Sequence, residues 1–147
     1  MTQRRSKLDA VIQHRRHLEQ QIRDELHGAK HDLALEQSQL QRLNQKLEGI
    51  LNDLAREQTN GTSTDQLDLY YRFIQRQCQS IQSQSGAVKQ LTERCEAKTN
   101  ELIESSKAKK LLEQVDEKRG KAHSKAQAKR EQELFDEVAG NRHHRKP

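Results

Sequence analysis

The sequence predicts an all-α fold: a long two-helix antiparallel coiled-coil hairpin, with the second helix overhanging the first. Three observations predict it. The only Pro is the last of 147 residues, so no helix is interrupted by a missing backbone donor. Leu and Ile recur at intervals of three and four over tens of residues, a spacing that disordered polar chains do not maintain. One cluster of turn-forming residues, Gln58-Thr59-Asn60-Gly61-Thr62-Ser63-Thr64-Asp65, divides the periodic pattern in two.

Helix 1 is expected over about residues 4–57. A heptad places Ile12, Leu26, Leu33, Leu40, Leu47 and Leu54 on one line of its seam and Leu8, Ile22, Ala29, Leu43 and Ile50 on the other, interrupted by Arg15, Glu19 and Glu36. The turn follows at 58–65. Its Asn and Gly tolerate left-handed backbone, and Ser63 with Gln66 has the spacing of a capping box. Helix 2 is expected over about 66–140, with Leu67, Ile74, Ile81, Val88, Cys95 and Leu102 on one line and Tyr71, Cys78, Ser85, Thr92, Thr99 and Ser106 on the other. A helix with one small or polar line makes a poor homodimer but can lie against the Leu-rich first helix, and Leu91 and Leu112 widen its apolar stripe. Gly28, Gly49 and Gly86 fall outside the seam. Beyond about Gly120 the second helix has no partner within the chain, yet it still carries Leu134, Phe135 and Val138 before a frayed basic C-terminus at 141–147.

Composition narrows the function. Hydrophobic residues make up 31% of the chain and charged ones 33%, which is too polar for an ordinary globular core. No run of about 18 apolar residues is present and the first thirty residues hold no apolar signal core, so a cytoplasmic location is expected. Cys78 and Cys95 stand seventeen residues apart, about 25 Å on one helix and beyond disulfide reach, and read as reduced seam residues.

Residues 1–106 hold fifteen basic and fifteen acidic side chains, whereas 107–147 hold twelve and seven, so the net charge of +5 belongs to the last part of the chain. A hairpin brings that part beside Arg4, Arg5, Lys7, Arg15 and Arg16. The resulting basic end is either a solvated terminus or an electrostatic docking end. Nucleic acid fits poorly, because Glu113, Asp116, Glu117, Glu131, Glu133, Asp136 and Glu137 interleave the bases and no aromatic platform accompanies them. Motifs for phosphate loops, zinc hydrolysis, redox thiols and nucleophilic Ser are absent from the sequence, and neither an enzyme nor a small-molecule ligand or cofactor is expected. His27 with His31, and His14 with His17, have helical metal-pair spacing, but lie outside the seam without a third ligand. They read as surface histidines.

Two short segments carry a family resemblance. Tyr70-Tyr71-Arg72-Phe73-Ile74-Gln75, just after the Gly-containing turn, resembles the Tyr-x-x-Phe element of the FliJ family of flagellar export proteins. The segment Lys129-Arg130-Glu131-Gln132-Glu133-Leu134-Phe135-Asp136-Glu137-Val138-Ala139 is similar to that family's C-terminal basic stretch and its apolar-Asp-Glu-apolar-Ala pattern. The length and two-helix layout also match. The resemblance implies a non-catalytic component of the flagellar type III export machine, held peripherally at the cytoplasmic side of the inner membrane. It implies engagement of the hexameric export ATPase FliI in the manner of a central stalk, contact with the export gate protein FlhA, and association with export chaperones. Carried over to this chain, it assigns Arg4, Arg5, Arg130, Leu134, Phe135 and Val138 to the ATPase and Tyr70, Phe73 and Ile74 to the gate. Tyr70 and Phe73 could equally cover the flank of a seam formed by Tyr71 and Ile74. The competing readings are the equivalent stalk of a virulence secretion system, a generic coiled-coil scaffold, and a nucleic-acid-binding helix.

Overall fold

The structure, a computed structural model, describes residues 7–145. Two helices account for nearly all of them: α1, Lys7–Asn60, and α2, Thr64–Arg145. The chain is a helical hairpin, as expected, but the turn is shorter than the sequence suggested. Gln58, Thr59 and Asn60 remain helical because nothing there breaks the ladder, and the Thr59 hydroxyl donates to the carbonyl of Ala55 one turn back (2.9 Å). Gly61 ends α1 with φ of +83°, the only positive φ among the described residues, where an L side chain would be strained. Ser63 then caps α2, its Oγ accepting the Gln66 amide at 3.3 Å, while the Leu67 amide donates to the Ser63 carbonyl at 3.1 Å. At the other end α2 passes through Gly140 and stays helical to Arg145, past the expected limit at 140, since Gly140 keeps ordinary helical backbone.

Every seam position assigned to α1 from Leu8 to Leu54 is buried or half-buried, including the polar interruptions Arg15, Glu19 and Glu36. On α2 one line is as expected: Leu67, Ile74, Ile81, Val88 and Leu102 are half-buried and Cys95 is buried. The other line is as expected only at Thr92 and Ser106, which are half-buried. Tyr71, Cys78 and Ser85 are exposed, and the positions that face inward are Tyr70, Gln77, Gln84, Leu91, Lys98, Ser105 and Leu112, one residue earlier in each heptad. Gln77, Gln84 and Lys98 on this line have partners across the hairpin, whereas the buried Ser105 hydroxyl has none. Thr92 and Thr99, which also looked like seam residues, return their hydroxyls to the carbonyls of Val88 and Cys95, each at 2.8 Å, and so are satisfied within α2.

The packing divides into two compact units, Gln21–Leu102 and Met1–Gln20 with Ile103–Pro147. In the first, which contains the turn, Leu26, Ala29 and Cys95 form a buried cluster against which Leu33 and Leu102 pack. Gln77, only 7% exposed, donates from Nε2 to the Leu43 carbonyl at 2.8 Å. One heptad on, Gln84 donates to the Glu36 carbonyl at 3.0 Å and to its carboxylate. Lys98 lies between Glu25 (2.6 Å) and Glu101 (3.1 Å).

In the second unit Ile12 and Glu19 are the buried residues of α1. Glu19 pairs with Lys109 at 2.6 Å and Arg16 with Glu113 at 3.3 Å. Burying a carboxylate requires such a counter-charge, because desolvation alone would cost several kcal/mol (about, per ion). The seam of α2 in this unit ends at half-buried Gly120, and all side chains from Lys121 to His144 are exposed.

Candidate protein-binding surfaces

Large apolar side chains held in water on otherwise polar helices are the chemically distinctive features of this chain. The first group is on α2 beyond Gly120, where Leu134, Phe135 and Val138 are 60%, 77% and 52% exposed. A helix with no neighbour cannot bury these groups, and neighbouring polar residues solvate the rest of it: Gln132 donates to Asp136 at 3.3 Å, and Lys121 pairs with Glu117 at 3.2 Å. Arg130, Leu134 and Val138 follow at four-residue intervals and Phe135 precedes Val138 by three, so all four share one side of the helix. Arg4 and Arg5, expected to join them, lie outside the described residues. Of the other N-terminal bases, Lys7 and Arg16 are exposed and Arg15 is half-buried.

The second group is just after the turn. Leu69, Tyr71 and Phe73 are each more than half exposed, while Tyr70 and Ile74 are half-buried on the side facing α1. This corrects the expected division, in which Tyr71 was the seam residue and Tyr70 its flank. Of the three residues assigned to a gate contact, Phe73 alone is exposed. Leu69 and Tyr71 were missed, although Leu69 stands one helical turn before Phe73 in the sequence. Glu57, Gln66, Leu69, Tyr70 and Phe73 line a cleft of ≈ 310 Å³. Val11, Leu111 and Val115 are also exposed, in the unit formed by the two chain ends, and escaped notice because no motif marks them.

Some charged groups are held in ion pairs across the hairpin, Lys98 with Glu25 and Lys109 with Glu19 among them. The Lys98 ammonium donates to Glu25 and holds that carboxyl below its ordinary range, and Glu25, then Glu101, raises Lys98 in turn. Cys95 is buried and Cys78 exposed, both as free thiols, so the expectation of a seam position holds for the first and fails for the second. Among the described residues no group of three or more His, Cys, Asp or Glu side chains is placed to hold a metal. No helix among the described residues is long and apolar enough to cross a membrane.

Fold and surfaces together define a helical coiled-coil hairpin with apolar side chains open to solvent at several places along it. The chain belongs to the flagellar FliJ protein family: the family profile described as Flagellar FliJ protein matches residues 4–147. Members of this family are non-catalytic components of the flagellar protein export apparatus. No curated protein and no solved structure matches the chain.

Proposed function

We propose that this protein binds the flagellar export ATPase FliI through its C-terminal helix, acts there as a central stalk that stimulates hydrolysis, and links the ATPase to the gate protein FlhA and to export chaperones. The observation that carries this reading is the Arg130, Leu134, Phe135 and Val138 side, open to solvent on a helix with no partner of its own. A hydrophobic group of this kind is a docking element. A helix supplies no catalytic group, so stimulation arises from preferential binding to one conformation of the ATPase, whose own residues perform the chemistry. Leu69, Tyr71 and Phe73 are the corresponding candidates for the gate, and through these two contacts the chain is held at the cytoplasmic side of the inner membrane.

Titration into the ATPase of the same organism tests this, with hydrolysis rate and hexamer formation as readouts. Stimulation is expected from the native chain and is lost with the Phe135→Glu, Val138→Glu double variant, which stays helical because both positions are exposed. Unchanged hydrolysis and assembly at every ratio would remove the stalk reading and leave a generic scaffold.

A further inference from the structure

At the turn, a side-chain amide stands next to the least shielded backbone nitrogen of the hairpin. Asn60 is the last residue of α1, and Gly61 follows it with φ of +83°. Both are exposed, and the Asn60 carboxamide makes no hydrogen bond among the described residues. Gly61 has no Cβ, and nothing lies within 4 Å of the place one would take, so its nitrogen is open to approach from the preceding side chain. The other asparagines, Asn44, Asn52, Asn100 and Asn141, lie inside helices and precede Gln45, Asp53, Glu101 and Arg142. There the following nitrogen belongs to the helical ladder and is flanked by a side chain. Asn60 can leave helical backbone by the opening of a single terminal turn, whereas Asn44, Asn52 and Asn100 can do so only if the hairpin itself opens.

We propose that Asn60-Gly61 is a self-modification site, at which the chain deamidates through a cyclic imide. The Gly61 nitrogen attacks Cγ of Asn60, and the new C–N bond closes a five-membered succinimide. The Cγ–Nδ2 bond breaks, and ammonia leaves carrying the proton that the Gly61 amide gave up. Water then opens the ring. Attack at Cγ yields an aspartate, and attack at the backbone carbonyl carbon yields an isoaspartate, whose main chain runs through the former side chain. Water is the only co-reactant. Either product places a carboxylate at the end of α1, where the last turn holds no base and already contains Glu57, with Asp65 in the first turn of α2. The helix dipole opposes a negative charge there, and isoaspartate adds a methylene to the main chain where Gly61 reverses it. The modified turn is therefore looser and more acidic. None of this depends on which partners the protein binds.

Incubation of the full chain at mildly alkaline pH, followed by peptide mapping with mass spectrometry and isoaspartyl methyltransferase labelling, tests this. Asn60 is expected to convert at least about tenfold faster than Asn44, Asn52 and Asn100, because opening a terminal turn costs less than opening the hairpin. Both aspartate and isoaspartate should form. Asn60→Gln, an exposed position where a longer side chain closes a ring far more slowly, should leave the turn peptide unmodified. The aged native chain should melt at a lower temperature than the fresh one, and aged Asn60→Gln should not. Conversion of Asn60 no faster than that of the three helical asparagines overturns the proposal. A product without isoaspartate overturns the cyclic route, and an equal loss of melting temperature in aged Asn60→Gln overturns the assigned effect on the turn.

Discussion

Lys98 occupies a seam position that a Leu would fill in a simpler coiled coil, and two carboxylates hold it there. Its bond to Glu25 lowers that carboxyl and, with Glu101, raises the ammonium, so the folded state favours the charged form of both. For Glu25 the stabilisation is fully present above its unfolded pKa and disappears as pH falls through the depressed folded value. For Lys98 it is present below the unfolded pKa and disappears as pH rises through the elevated folded one. The pair therefore supports the hairpin over the whole range between the acidic and alkaline limits. Thermal unfolding of the native chain and of Glu25→Gln should show a melting-temperature gap near neutral pH that closes below the ordinary carboxylate range. The gap should also narrow in high salt, because the side chains are partly exposed. A gap that stayed constant with pH would assign the contribution of Glu25 to packing.

At the scale of the helices, α1 was legible because apolar residues occupy most of both lines of its seam; even its polar interruptions fell where the heptad put them. The turn was legible through Gly61 and Ser63, whose backbone and hydroxyl roles no other nearby residue could fill as well. The second line of α2 was not legible. Gln77 and Gln84 look like solvent residues by composition, and the partners that make their burial tolerable are backbone carbonyls of α1, which carry no sequence signal. The same shift of one position reversed the roles of Tyr70 and Tyr71 and put Cys78 in water. For the Gln77 bond, the Leu43 carbonyl lies within α1, so Gln77 is a second donor to it and its loss leaves no orphan. Gln77→Ala should cost about 1–2 kcal/mol in urea unfolding through lost packing and a lost bond. Gln77→Leu, which fills the same space with apolar atoms, should be neutral or stabilising by about 1 kcal/mol. If Leu destabilises as much as Ala, the amide itself fixes the pairing of the helices at this layer.

For the molecule as a whole, helical backbone and stable structure are distributed differently along the chain. In Gln21–Leu102 each turn of one helix has buried or half-buried seam residues, from the Leu26, Ala29 and Cys95 cluster to the Gln77 and Gln84 bonds. From Lys121 to His144 the helix has none. Tertiary burial supplies most helical stability in water, and a stretch of this length without it is marginal even with favourable Ala, Lys, Gln and Glu content. Native-state hydrogen exchange should reflect this. Amides from 121 to 144 are expected to be protected by about tenfold or less, while those around Leu26, Ala29 and Cys95 approach the protection set by global unfolding. Adding the export ATPase should then slow exchange around Leu134 to Val138 selectively, since ordering the segment and burying its apolar side are one event. Protection already high in the free chain at low concentration would mean that intrinsic helicity alone holds the segment, and the free-energy cost of ordering it on binding would be correspondingly small.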